Sequence, residues 1–322
     1  MQSESDATIV EQEEKYLLRA QEDPWRTNLR RLLRQRSARA GLIILAIILL
    51  SALFAPILTP YGPTEVLIGA PGHDNVRKRQ APCIHLLGCP EDEPQHIFGL
   101  DGNVRDVFSR VLFGARVSLR IGILVVAVAV IVGATLGAIA GYTGGWIDNL
   151  IMRIMDVLLA FPSLLLAIAI TFVLGPGLTN AMLAIAIVTI PAYARVVRSS
   201  VISVRELEFV EASRSFGAHG GRILFRQIMP NALAPLIVTA TLGVGTAIID
   251  AAALSFLGLG AQPPAPEWGA MLGSERNQLF SAPHLIIIPG IAITMTVLAF
   301  NLLGDGLRDA LDPRLLTRKT KN

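Results

Sequence analysis

The sequence predicts an all-α, polytopic membrane protein with six transmembrane helices, and three observations carry that fold class. Of 322 residues, 52% are hydrophobic and 16% charged, against roughly 25% charged in a soluble domain, and the mean hydropathy is +0.54. The apolar residues gather in six long runs, none with an internal Asp, Glu, Lys or Arg. The 28 Lys and Arg lie outside those runs, and twenty of them fall on one side of the alternation. A soluble helical protein would need charged faces between its hydrophobic stripes, and these runs have none.

A bilayer crossing takes about 20 apolar residues in a helix rising 1.5 Å each. The runs occupy residues 40–58, 121–141, 157–175, 178–194, 227–249 and 285–304. Ahead of the first, residues 1–23 hold seven acids and no apolar core of a cleavable leader, so the first run is expected to be its own anchor. Residues 24–39 then carry six Arg and no acid. An Arg cluster abutting a span is a topology signal with attraction for the lipid bilayer's anionic headgroups, and no nucleic-acid partner is expected.

Basic residues in short connections stay cytoplasmic. Eight precede the first run, Arg153 lies between the second and third, six lie from Arg195 to Arg226, and five follow the sixth. The opposite side holds eight, six of them in the long connection 59–116. The expected layout is a cytoplasmic segment at 1–39, a membrane domain at 40–304 and a cytoplasmic tail at 305–322, with both termini inside the plasma membrane. Within the membrane domain, 59–116 and 250–284 are outer loops and 195–226 is an inner loop. Gly304, Asp305 and Gly306 close the last run and read as a helix end rather than a catalytic acid, since no second buried acid accompanies them.

The two cysteines, Cys83 and Cys89, both fall in the first outer loop. Two readings stay open: a disulfide, suited to an oxidising compartment, and a metal site with His85 and His96. The spacing of that second set, Cys-x-His-x3-Cys-x6-His, matches no common structural zinc pattern.

Enzyme chemistry is missing. The chain holds no His-Glu-x-x-His zinc pattern, no Gly-x-Ser-x-Gly nucleophile elbow and no pair of intramembrane carboxylates. A secondary transporter, the alternative from another class, usually keeps ionisable groups or broken helices at the midplane, and these spans keep almost no ionisable group. ATP-driven transport needs a phosphate-cradling loop with Gly-Lys-[Ser/Thr], yet the four lysines, Lys15, Lys78, Lys319 and Lys321, follow Glu14, Arg77, Arg318 and Thr320. If ATP drives this protein, another polypeptide binds it and pushes through a cytoplasmic surface.

The inner loop offers such a surface. From Glu206 to Ile237 it reads ELEFVEASRSFGAHGGRILFRQIMPNALAPLI. Leu207, Val210 and Phe216 form an apolar stripe at roughly helical spacing, ending at Gly217, which suits a helix C-cap. Ala218 to Gly221 are expected to turn, and Arg222 to Ile228 to resume a helix that runs into Pro230. Glu211 has an ordinary alternative role as a partner for Arg214, three residues on.

This loop resembles the hallmark of the integral-membrane permeases of binding-protein-dependent ABC importers, Glu-Ala-Ala-x3-Gly-x9-Ile-x-Leu-Pro. Glu211, Ala212, Gly217 and Pro230 stand at matching positions, while Ser213, Gln227 and Met229 depart from it. Three more segments are similar to the dipeptide and oligopeptide branch: GLDGNVRDVFSRVLFGARVSL (99–119), SFLGLGAQPPAPEWGAMLGSER (255–276) and NLLGDGLRDALDPR (301–314). Val104 stands where that branch usually has Gly, which is expected to stiffen the turn. Asp250 stands one residue before the branch's usual acid, at Ala251; one residue is about 100° of helix rotation, so no substrate role carries over to it.

The resemblance implies a type I ABC importer permease forming half of a translocation path for di- or oligopeptides. It implies as partners a second permease subunit, two cytoplasmic ATPase subunits or domains that bind ATP and Mg, and an extracytoplasmic solute-binding protein. This chain itself is expected to bind no cofactor and no metal. Glu211, Ala212, Gly217 and Pro230 would shape the loop that docks on an ATPase subunit, and substrate-contacting residues are not legible.

Overall fold

The computed structural model describes residues 30–70, 76–90 and 93–311. Most of the expected N-terminal segment, and the tail beyond 311, therefore lie outside the described residues.

Nine helices of seven or more residues organise the described residues, with no named strand among them. They are α1 (Arg36–Leu53), α2 (Val107–Thr143), α3 (Gly145–Leu159), α4 (Ser163–Leu174), α5 (Leu178–Arg205), α6 (Glu208–Ser215), α7 (Gly220–Phe256), α8 (Trp268–Ser274) and α9 (His284–Leu311). Five of them, α1, α2, α5, α7 and α9, are long and apolar enough to cross a bilayer, and α3 with α4 makes a sixth if the bent pair is one crossing. The run at 157–175 is not the single straight span expected: the chain turns by 90° between α3 and α4. Pro162 explains the break, because the residue before a proline avoids helical backbone and the ring has no N–H to continue the ladder.

Two helix ends overrun the apolar boundaries because their charges find partners. α2, expected from 121, begins at Val107, where the Asp106 carboxylate accepts the Ser109 N–H at 2.7 Å as an N-cap. Two of its three embedded arginines donate to carbonyls, Arg110 to Pro63 at 2.8 Å and Arg116 to Leu53 at 2.9 Å, beside the end of α1. α5, expected to stop at 194, continues to Arg205. Its Arg195 pairs with Asp156 at 2.6 Å and its Arg198 grips Asp148 through both carboxylate oxygens, which ties α3 to α5. Gly304 and Gly306 are not a helix end either: both sit inside α9, against Leu242 and Ala38, and the helix runs on to Leu311.

The main core lies where α2, α5 and α7 meet, with Val125, Ile185, Val197 and Ile248 almost fully buried. Along α2, Gly133, Gly137 and Gly141 face the carbonyls of Ile190, Ala194 and Arg198 on α5 so closely that a methyl group at any of them would collide. This four-residue glycine spacing lets two backbones touch, which is how membrane helices associate without a hydrophobic driving force. α7 packs on α2, α5 and α9, and α1 leans on α9.

At one end of the bundle, the 59–106 connection, α8 and its flanking loops form a cap. Asp101 accepts from Arg105 Nε at 2.8 Å and from the backbone N–H groups of Asn103 and Arg105. Glu275 binds Arg79 Nε at 2.8 Å and Gly102 N–H at 2.9 Å. Glu267, 1% exposed, caps α8 through the Gly269 and Ala270 N–H groups; burial raises its carboxyl pKa and those bonds oppose the shift. Trp268 donates to Val111 carbonyl at 3.0 Å. Val104 takes φ +58° and is fully buried in a cluster with Leu67 and Leu100. A left-handed backbone costs a β-branched residue on the order of 1–2 kcal/mol, which is why a glycine suits this turn.

Candidate functional site

The opposite end of the bundle carries the loop that the sequence singled out. It is shorter than the expected 195–226, because α5 occupies residues up to Arg205. Arg205 Nη1 donates to the carbonyls of Gly141 (3.1 Å) and Tyr142 (3.2 Å), so a cation neutralises the carbonyl end of α2 where the loop leaves.

From Leu207, in extended conformation, the chain enters α6. The helix closes with a Schellman motif: Gly217 N–H donates to Arg214 carbonyl at 2.9 Å and Ala218 N–H to Ser213 carbonyl at 3.1 Å. Gly217 has φ +78°, the conformation that glycine adopts without steric cost. The helix resumes at Gly220, two residues earlier than expected, and passes through a π-turn at Leu224–Ile228. Pro230 explains the wider turn: it cannot donate back and its ring crowds the preceding turn, and a π-bulge relieves both.

The apolar stripe is only partly as expected. Val210 is fully buried, but Leu207 is 47% and Phe216 90% exposed. What anchors the loop is Val210 with Ile223, Leu224 and Ile228, all part of the main core. What it presents is Phe209, Phe216 and Phe225, exposed around the anchor. Glu211 and Ala212 lie on the exposed side of α6, and among the described residues Glu211 forms no ion pair with Arg214. Gly220 is a close-contact position that the motif does not include. A methyl there would come within 2.8 Å of the Tyr142 hydroxyl, whereas one at Gly217 would meet nothing within 4 Å. The four motif residues therefore shape and surround the platform, and Gly220 seats it on the end of α2.

In the cap, Cys83 and Cys89 are joined as a disulfide with their Cα atoms 5.4 Å apart. The histidines of the alternative metal set are engaged elsewhere. His85 Nε2 lies 2.8 Å from Glu93 carbonyl, and His96 Nδ1 lies 3.3 Å from the same Asp106 that caps α2. Cys83 and His96 also exchange two backbone hydrogen bonds at 2.9 Å, so the bridged loop is laced to that cap. Burial, with the Asp106 and Glu65 carboxylates, raises the neighbouring Tyr61 phenol above its usual pKa.

The bundle of membrane-crossing helices with its anchored, aromatic-faced loop is that of a transport permease subunit, the class of the family and relatives that this chain matches. The chain belongs to the family described as binding-protein-dependent transport system inner membrane component, whose model matches residues 133–317. Residues 23–82 match the N-terminal TM domain of oligopeptide transport permease C. A dipeptide transport system permease protein, DppC, of Alkalihalophilus pseudofirmus is 51% identical over 91% of this chain and 90% of its own length. The glutathione transport system permease protein GsiD of Pectobacterium atrosepticum is 48% identical over 91% of this chain and 92% of its own length. Among solved structures, an inward-facing MetNI methionine ABC transporter chain matches with a TM-score of 0.53 at 19% identity. The match covers 63% of this chain and 97% of that one, and shows the shared fold.

Proposed function

We propose that this permease carries di- or oligopeptides, forming half of the path beside a second permease subunit and working with two ATPase subunits and an extracytoplasmic solute-binding protein. The observation that carries the reading is the platform of Phe209, Phe216 and Phe225, exposed at the surface while Val210, Ile223 and Ile228 hold its underside in the core. Exposed phenylalanines on a rigid base match the aromatic enrichment of protein–protein interfaces. An ATPase subunit docking there acts on the rest of the bundle through Gly220, Tyr142 and Arg205. Its closure shifts the permease only as far as the contact differs between inward-open and outward-open states.

ATP and Mg then reside on the ATPase partners, because this chain has no Gly-Lys pair to cradle a nucleotide. The loop end is the cytoplasmic one, with both termini on that side, a reading supported by the excess of Lys and Arg there; the disulfide in the cap fits the oxidising side. The peptide class is supported by relatives named for dipeptide and glutathione transport.

The test is uptake of a labelled dipeptide by vesicles holding the assembled complex. Uptake that needs ATP and the binding protein is expected. Uptake in the absence of ATP would instead make the chain part of a secondary transporter.

A further inference from the structure

One charged side chain of α7, just past the end of the fifth apolar run, has no hydrogen-bond or ion-pair partner among the described residues. α7 is the central helix, covered on three sides: Val244 and Ile248 press on Gly122 of α2, Gly243 lies under Tyr193 of α5, and Gly245 faces Val297 of α9. The fourth side is open. Thr239, Thr246, Asp250 and Leu257 are spaced seven, four and seven residues apart, which returns them to one face at about 100° per residue. All four are partly or fully exposed. Asp250 is half-buried on this face, and among the described residues no hydrogen bond or ion pair reaches its carboxylate. It lies six residues from the end of α7, about 9 Å along the axis from the cap end.

The neighbouring position sharpens the point. Ala251, one step around the helix, is 4% exposed and sits in the main core. An acid there would be trapped among α2, α5 and α7, whereas Asp250 looks out of the bundle. Ionisable residues within a span face a bundle interior or water-filled cavity rather than lipid, and two threonines sharing the face fit a wetted surface. The open side of α7 therefore borders the path. A carboxylate there calls for a cation. The six apolar runs contain no Lys or Arg, and Arg120 of α2, two residues before the Gly122 that meets Ile248, forms no ion pair with Asp250 among the described residues.

We infer that Asp250, with Thr246 below it, forms a subsite on the path for the ammonium group of the solute, the free amino terminus of a peptide. This rests on the peptide reading given above. A dipeptide and glutathione each carry one α-ammonium, whatever their side chains, so one fixed carboxylate serves many sequences. The carboxylate binds the cation by a charge-assisted hydrogen bond, and the threonine hydroxyl offers a further acceptor.

The experiment compares uptake of a dipeptide with uptake of its N-acetylated form in vesicles holding the complete complex, for wild type, Asp250→Asn and Asp250→Glu. Wild type is expected to prefer the free amine. Asp250→Asn should lower the ratio of free to acetylated uptake about tenfold, the scale of one hydrogen bond to a charged group, while Asp250→Glu keeps most of it. An unchanged ratio in Asp250→Asn overturns the subsite and leaves the peptide reading intact. Loss of the second permease from purified Asp250→Asn complexes overturns it too, assigning the carboxylate to a cation of that subunit. Wild-type vesicles that move neither peptide would refute the peptide reading itself, and the subsite with it.

Discussion

The two ends of the bundle are built on opposite terms. In the cap, carboxylates are consumed internally: Asp101, Asp106, Glu267 and Glu275 each bind partners within the chain, and Trp268 is buried with its N–H bonded. At the other end, the loop keeps Val210 inside and leaves three phenylalanines and Glu211 facing outward. A satisfied surface needs nothing further to be stable, while a surface that exposes aromatics on a rigid base is completed by another molecule. Stability and coupling should therefore separate by position.

The largest effect is expected in the cap. Trp268→Ala removes a side chain that is 2% exposed and pressed on Gly114, and should cost about 3–5 kcal/mol. Thermal unfolding in detergent should drop accordingly, and an unshifted transition would contradict the description of the cap as a packed unit. Opening the Cys83–Cys89 ring, which spans six positions of sequence, should cost about 2 kcal/mol by loop entropy. Reductant or the double Ser variant should lower the unfolding midpoint by similar amounts, with ATP-dependent coupling retained per folded complex.

Loop variants should reverse the pattern. Phe216→Ala, at a side chain 90% exposed, should leave folding within about 0.5 kcal/mol while lowering ATPase co-purification about tenfold. Equal co-purification would remove Phe216 from the docking surface. Gly217→Val acts differently from Phe216→Ala, since open space surrounds Gly217: the penalty is the left-handed backbone, about 1–2 kcal/mol, and the readout is a misaimed α6 with reduced solute-stimulated ATP hydrolysis at normal abundance. The smallest effect belongs to Val104→Gly. Relief of φ +58° and loss of a buried side chain oppose one another at about 1–2 kcal/mol each, so the unfolding midpoint should hardly move.

The sequence made the bundle legible because length and apolarity are the criteria a bilayer imposes: α2, α5, α7 and α9 each contain an expected run, and α1 holds the run at 40–58 up to Leu53. Its errors fall where a charge or a proline has a tertiary explanation. Arg110, Arg116, Arg195 and Arg198 read as loop residues, yet each lies inside a helix because a carbonyl or carboxylate elsewhere in the chain receives it. Pro162 was visible but hidden in a continuous apolar run. At the loop, Gly217 was readable from helix-ending chemistry, which is local. Gly220 was not, because its reason is the Tyr142 hydroxyl, far off in sequence. Periodicity likewise placed Leu207, Val210 and Phe216 on one stripe without indicating that only Val210 faces protein.

The glycine contacts between α2 and α5 have a mechanical meaning. Two helices whose backbones touch at three successive turns, with no side chain of α2 at those turns to deform, behave as a stiff beam. α2 has 37 residues and so a length of about 55 Å, from the Asp106 cap to Tyr142. A beam of that length pivoting by about 5° at its capped end sweeps its far end through about 5 Å, one helical turn. Small rocking at one surface is thus geared into a displacement large enough to make or break a seat for Gly220 at the other.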